Sequence, residues 1–344
     1  MKKILLGTTG LIAAAMVMSS PASAAEKIRL GLGGYMEQWV GFADQDTLYS
    51  AWNEFDQQSD SEIYFTGSTV LDNAITVGVT VQLEAERNAG ARWIDDSFLY
   101  LSSETLGTLQ LGSVPAATDS AHNSAPDVGI SRGDSDDWVA RASFVTDTTA
   151  VESDAHKIQY VSPNFSGFQV GGMYIPDFTD SGNSMPMNTT PSMTSSLAGA
   201  IVLYNGDFDG VTVGFDAAYA TTENNTDGFQ VGLSVGFNGF TIGGSYFNVD
   251  DDDALYGRAG EHTNYDLGVS YASGPYALSL SWFHGELDAN MGGDDELEVI
   301  MGSASYAMGP GIDLKGSIFH QSSESGGGDD GDGWGAVGGV TLSF

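Results

Sequence analysis

The sequence predicts an all-β fold, a transmembrane antiparallel up-and-down barrel of sixteen strands. Three observations predict it. Apolar residues recur with period two in run after run, the connections between runs alternate strictly between short and long, and turns and aromatics abound without disulfides. Period two places apolar side chains on one face of a strand and polar or tiny ones on the other. A soluble sandwich shares that alternation but has no reason to keep short turns at one rim and long loops at the other, as membrane barrels do. The chain has 344 residues with 46 Gly, 9 Pro and no Cys, so burial and backbone pairing must supply its stability.

Taken in order, residues 1–24 read as a secretory signal. Lys2 and Lys3 form the charged end, an apolar run follows from Ile4 to Met18, and Ala22-Ser23-Ala24 supplies small residues for cleavage before Ala25. The remainder, 25–344, is read as a single barrel domain. No later stretch is apolar and long enough for a membrane helix. Strands are expected at 28–42, 60–71, 74–86, 93–103, 107–114, 155–162, 167–176, 196–205, 210–221, 228–238, 239–249, 262–272, 275–286, 295–307, 311–321 and 334–344.

The alternation is plain in several of these. Phe229, Val231, Leu233, Val235 and Phe237 share one face, as do Val211, Val213, Phe215, Ala217 and Tyr219, and Ile75, Val77, Val79, Val81 and Leu83. The last strand aligns Trp334, Ala336, Gly338, Val340, Leu342 and Phe344. Short connections such as Asp72-Asn73, Asn238-Gly239 and Ser273-Gly274 carry residues that tolerate hairpin geometry. Tyr160, Phe168, Tyr204, Phe240, Tyr271, Tyr276 and Tyr306 fall beside the short turns, and Phe42, Tyr174, Phe229, Tyr246, Tyr265, Trp282 and Trp334 nearer the long loops. Two aromatic girdles at two membrane interfaces would place them so. In hydrocarbon every backbone polar group needs a protein partner, so the strands must close into a ring, with hydrophobic side chains facing lipid and a wet interior. Sixteen strands make a ring wide enough for an aqueous channel.

One connection is far longer than the rest. Residues 115–154 carry Asp119, Asp127, Asp134, Asp136, Asp137, Asp147, Glu152 and Asp154. Structureless connections of that length are rare in compact domains and tend to be functional. The expectation is a loop folded into the lumen as a constriction. Charge reinforces it: 11 Lys and Arg face 46 Asp and Glu, a balance that repels nucleic acid and draws cations.

At this point the chain resembles a Gram-negative general porin of the sixteen-stranded trimeric family, most similar to alphaproteobacterial porins. The likeness covers nearly the whole mature chain and rests on three motifs. They are Asp96-Ser97-Phe98-Leu99-Tyr100-Leu101 with Leu106-Gly107-Thr108-Leu109-Gln110-Leu111-Gly112 before the long third loop, the return run from Ile158 to Phe168, and the terminal Phe344 after alternating apolar residues. The resemblance implies an outer-membrane homotrimer in contact with lipid and lipopolysaccharide, passing small hydrophilic solutes and ions by passive diffusion. It also implies that Phe344 belongs to a signal read by the outer-membrane assembly machinery. One departure stands out: many members carry Arg directly after the glycine matching Gly112, and this chain has Ser113.

Such a channel works as a sieve with a field across it. The acidic half is expected from the loop, at Asp119, Asp127, Asp134, Asp136, Asp137, Glu152 and Asp154. The basic half is expected from Arg29, Arg87, Arg92, Lys157 and Lys315, with Glu37, Glu84 and Asp216 adding negative charge to the wall. Acid outweighs base, so cation preference is expected. Asp250, Asp251, Asp252 and Asp253, and Asp329, Asp330 and Asp332, offer clustered oxygens of the kind calcium takes, and no cofactor is otherwise required. Rival readings are a substrate-specific outer-membrane channel, a barrel hydrolase and a soluble adhesin. The five His lie in no nucleophile motif, and phosphate selection would need clustered Arg or Lys, which are scarce.

Overall fold

Sixteen strands follow one another round one closed ring, each hydrogen-bonded to its neighbours in sequence and the first to the last. The computed structural model describes residues 27–46, 54–85, 94–131, 133–139, 155–177, 196–223, 226–251, 259–326 and 330–344. The expected leader lies outside them. The strands are β1 Arg29–Asp46, β2 Phe55–Val70, β3 Thr76–Glu84, β4 Ser97–Ser103, β5 Gly107–Ser113, β6 His156–Val161, β7 Phe168–Ile175 and β8 Leu197–Phe208. They continue as β9 Val211–Thr222, β10 Asp227–Phe237, β11 Phe240–Asp251, β12 Gly260–Ser273, β13 Tyr276–Ala289, β14 Asp295–Gly309, β15 Ile312–Ser325 and β16 Gly331–Ser343.

The short connections behave as their residues dictate. In Asp209-Gly210 and Asn238-Gly239 both residues have positive φ, near 53° and 90° and near 51° and 85°, the hairpin geometry whose twist matches the flanking strands. Closure of the ring needs no edge. Gly34 N donates to Phe344 O at 3.1 Å and Phe344 N to Gly34 O at 3.0 Å, extending the β1–β16 register of Tyr35 against Ser343. Outside this seam the Phe344 ring lies against Gly34, where a Cβ would crowd it.

Lipid-facing alternation is as expected in β10, where Phe229, Val231, Leu233, Val235 and Phe237 are all exposed. Aromatic pairs line both rims: Phe168–Tyr204, Phe240–Tyr271 and Tyr276–Tyr306 at the short turns, with Phe42–Trp334, Phe229–Tyr246 and Tyr265–Trp282 at the long loops. Rings at both levels match headgroup depth.

Two expectations need correction. Many strands run past the expected bounds at the long-loop rim: β1 continues to Asp46, β2 begins at Phe55, β15 continues to Ser325 and β16 begins at Gly331. Apolar period marks the lipid band, whereas backbone pairing carries on through polar residues above it. β3 and β4 are instead shorter than expected, at Thr76–Glu84 and Ser97–Ser103.

The interior is also not uniformly polar. Phe247 and Val249 of β11, Phe283 and Leu287 of β13, and Leu297, Val299 and Met301 of β14 face inward and are buried. Their outward neighbours Tyr246, Trp282 and Ile300 are aromatic or apolar too, so these strands carry apolar residues on both faces. One sector of the barrel is therefore packed, and part of it meets the third loop: Phe247 and Val249 cluster with Ala116, and Met301 with Ile130, Trp138 and Val139.

Candidate functional site

The third loop leaves β5 and follows the inner wall as an arc. It opens with one helical turn, Ala117–Ser120, and later forms a short 3₁₀ turn, Gly133–Asp137. On strand after strand an inward side chain meets its backbone. Ala117 N donates to Gln159 Oε1 of β6 at 2.8 Å, and Gln230 Nε2 of β10 donates to Thr118 O at 2.6 Å. Asp216 of β9 accepts from Asn123 N at 2.6 Å and Asn123 Nδ2 at 2.9 Å, with His122 Nδ1 at 2.7 Å from its other oxygen. Asp266 of β12 accepts from Ala125 N at 2.8 Å. Val128 N and Ile130 N then donate to Ser279 of β13 at 3.2 Å and Ser317 of β15 at 3.1 Å. A buried backbone group left unmet costs roughly 1–3 kcal/mol, so this row of partners is what lets a loop lie inside a barrel.

The tip is fixed by packing. Trp138 and Val139 join Trp39 and Ala43 of β1, Met301 of β14, Phe319 of β15 and Val337 of β16 in one buried cluster. Gly41 makes room for the Trp138 ring, which any Cβ there would strike. Ser135 Oγ donates to Gln321 Oε1 at 2.7 Å, Gln321 Nε2 to Val139 O at 2.9 Å, and Gln58 Nε2 of β2 to Asp137 O at 2.8 Å. The tip thus rests across the seam where the ring closes.

Asp134, Asp136 and Asp137 end beside an acidic wall. Glu37 of β1 lies opposite Asp60 of β2, Tyr35 opposite Glu62, and Glu62 opposite Glu84 of β3. Carboxylate oxygens of Glu62, Glu84 and Asp95 lie within 4.8 Å of one another. Lys315 Nζ of β15 is 3.9 Å from Glu37 Oε1, and Trp39 Nε1 donates to Glu37 Oε2 at 3.1 Å. Asp134 keeps contact with lumen water, yet the protein around it pushes its carboxyl up to about 7. Desolvation is the main cause, followed by Asp137, Asp136 and Glu37, against a lowering hydrogen bond from Ser131.

The wall therefore differs from the expected acid-against-base arrangement. Lys157 faces inward but is buried (2% exposed) and donates to the Val114 carbonyl, so it anchors the root of the loop rather than lining the lumen. Asp216 is likewise fully buried under the loop, as its docking acceptor. Asp127 turns onto its own Gly129 N at 3.0 Å and toward Ser279, whereas Asp119 is exposed. Arg29 sits at the short-turn end of β1, exposed. Glu37 and Glu84 do face the lumen. Arg87, Arg92, Glu152 and Asp154 lie outside the described residues. Asp60, Glu62, Asp95 and Tyr35 were not anticipated. The alternation of Asp60, Glu62 and Tyr64 with Ser61, Ile63 and Phe65 holds the signal that could have found most of them.

The calcium candidates are divided by strand geometry. Asp250 and Asp251 fall within β11, so they point to opposite faces: Asp250 is exposed, while Asp251 is buried and accepts from Thr226 Oγ1 at 3.2 Å. Asp332 lies 3.0 Å from His320, and Asp330 accepts from Ser325 N at 3.0 Å. Asp252, Asp253 and Asp329 lie outside the described residues.

The family profile described as Gram-negative porin matches residues 10–337. Comparison with curated protein sequences returned no match. Among solved structures, the anion-selective porin from Comamonas acidovorans is similar at 17% identity and TM-score 0.62, covering 92% of this chain and 100% of its own. The trimer form of OmpT from Vibrio cholerae is similar at 12% identity and TM-score 0.64, covering 94% and 100%. A mutant of Rh. blastica porin is similar at 18% identity and TM-score 0.58, covering 92% and 100%. At such identities the likeness is one of fold.

Proposed function

The chain belongs to the Gram-negative porin family, outer-membrane channels rather than enzymes, and from that premise we propose a general diffusion pore that prefers cations. The observation that carries the preference is the meeting of two acidic surfaces. The loop tip, with Asp134, Asp136 and Asp137, comes to a wall bearing Glu37, Asp60, Glu62 and Glu84. Among the described wall cations, Lys157 is buried, Lys315 is near Glu37, and Arg29 stands at the short-turn end of β1 away from the tip, so none offsets that field freely. A cleft of one sign concentrates counter-ions and repels co-ions. The similar fold of an anion-selective porin does not decide the sign, which rests on side chains and not on topology.

The mechanism is filtration. The loop arc follows the wall from β6 round to the β1–β16 seam and narrows the lumen, so small hydrophilic solutes would pass beside the acidic wall of β1 to β3. Among the described loop residues the backbone groups of Ala117, Thr118, Asn123, Ala125, Val128, Ile130 and Val139 are held by wall side chains, which would keep the constriction in shape as solutes cross it.

The remaining parts of the reading concern assembly. Cleavage before Ala25 releases the mature chain, Phe344 is presented to the assembly machinery, and three copies associate amid lipid and lipopolysaccharide. We attach no calcium to the pore. The experiment that tests the reading is a reversal potential in planar bilayers across a potassium chloride gradient. Cation preference with conductance steps grouped in threes is the expected result, and anion preference would remove the reading.

A further inference from the structure

We propose that Tyr35 is a positioning residue of this channel, holding Asp60 and Glu62 together as charged groups on the wall facing the loop tip. The inference rests on the cation-preferring reading and adds to it the residue that maintains the field. Tyr35 Oη lies 2.7 Å from Asp60 Oδ2 and 3.1 Å from Glu62 Oε1. A phenol has one proton, so it donates to one carboxylate at a time, with the shorter contact on Asp60.

Asp60 and Glu62 are inward neighbours on β2, two residues apart, and like charges at that spacing repel. Arginine or lysine in the place of Tyr35 would hold them but would also cancel their charge. A neutral donor holds them and leaves both negative charges to the lumen. The ring is itself located: its centroid is 6.3 Å from that of Tyr64, a diagonal neighbour on β2.

The charged and titratable groups around the pair come from every adjoining element. They are Glu37 on β1 with Lys315 beside it, Tyr64 on β2, Glu84 on β3, Asp95 before β4, and Asp134, Asp136 and Asp137 on the loop. Asp134 has its own titration, so the test uses an Asp134→Asn parent.

The assay is the cation-to-anion permeability ratio of the assembled channel between about pH 4 and about pH 9, with Tyr35→Phe compared against that parent. Loss of a donor to an ionised carboxylate favours its protonated form. Hydrogen bonds to charged groups then imply a midpoint raised by about one pH unit, with the ratio at the alkaline end unchanged. Tyr35→Gln, which restores a donor, should return the midpoint toward the parent. Tyr35→Leu replaces the phenylalanine variant if that one does not assemble, with the same shift expected. Superimposable profiles overturn the proposal, and so does a shift that persists when Asp60→Asn and Glu62→Gln are also present. An anion preference of the parent at the alkaline end would sink the broader reading, while the midpoints would still decide the role of Tyr35.

Discussion

Asp134 gives the most direct test of how the loop tip sets selectivity. Its carboxyl is pushed up to about 7, by desolvation first and then by Asp137, Asp136 and Glu37. At about pH 6 roughly a tenth of channels carry the charge, and at about pH 8 roughly nine tenths do. The direction follows from the sign: acid removes a negative charge at the constriction and alkali restores it. A unit charge about 4 Å from a passing ion is worth about 1 kcal/mol in water, roughly a fivefold change in local ion occupancy. Other acids share the path, and salt screens beyond about 10 Å at 0.1 M, so the permeability ratio should rise about two- to fivefold over that interval. Reversal potentials in a shallow gradient near that ionic strength measure it. In Asp134→Asn the ratio should stay flat and close to the acid-side value. A wild-type ratio constant from about pH 6 to about pH 8, or a variant titrating as the wild type does, would refute the argument. The same raised value makes Asp134 favour the folded loop in acid. That contribution is complete below the ordinary carboxylate value of 3.8 and is lost as pH rises through about 7.

Other perturbations probe the loop and the seam. Trp138→Ala empties the pocket beside Gly41; truncating a buried Trp costs about 3–5 kcal/mol, here spent on the tip rather than the ring. Single-channel records should become noisier while heat resistance of the barrel stays close to wild type, and quiet traces would count against tip release. Asp216→Ala deprives Asn123 N and Asn123 Nδ2 of their acceptor, leaving two half-buried donors at about 1 kcal/mol each, the low end for an unmet donor. Protease cutting within 118–131 should rise with the barrel intact; unchanged protection would mean the other wall contacts suffice. Deleting Phe344 removes both hydrogen bonds to Gly34, and refolding yield into detergent micelles should fall, with an undiminished yield contradicting this role of the seam.

How much of this was legible follows from which forces leave a period in the sequence. Lipid contact does, because each strand must present apolar groups at every second residue, as Phe229 to Phe237 do. Turn geometry does as well, since Asn238-Gly239 takes a backbone conformation most residues avoid. Strand ends do not, because Asp44, Gln45 and Asp46 pair as well as valines would.

The site was half legible for a related reason. Composition revealed an acidic loop, but a side chain's charge does not say whether it meets water or a partner. Asp134 and Asp216 look alike in sequence; one reaches the lumen and the other is sealed beneath the loop it secures. The deciding feature lies elsewhere, on the wall strands that receive the loop. Where both faces of a strand are apolar, as at Val299-Ile300-Met301, lipid covers one face and another part of the protein must cover the other. Where the inward face keeps Tyr and carboxylates, as at Tyr64, Glu62 and Asp60, half-exposed or open, water remains. The inward faces of the wall, taken strand by strand, therefore locate the packed sector and the open one before the path of the loop is known. By that criterion the acids that set selectivity are those whose strand neighbours leave them in water, which singles out Glu37, Asp60 and Glu62 over Asp216.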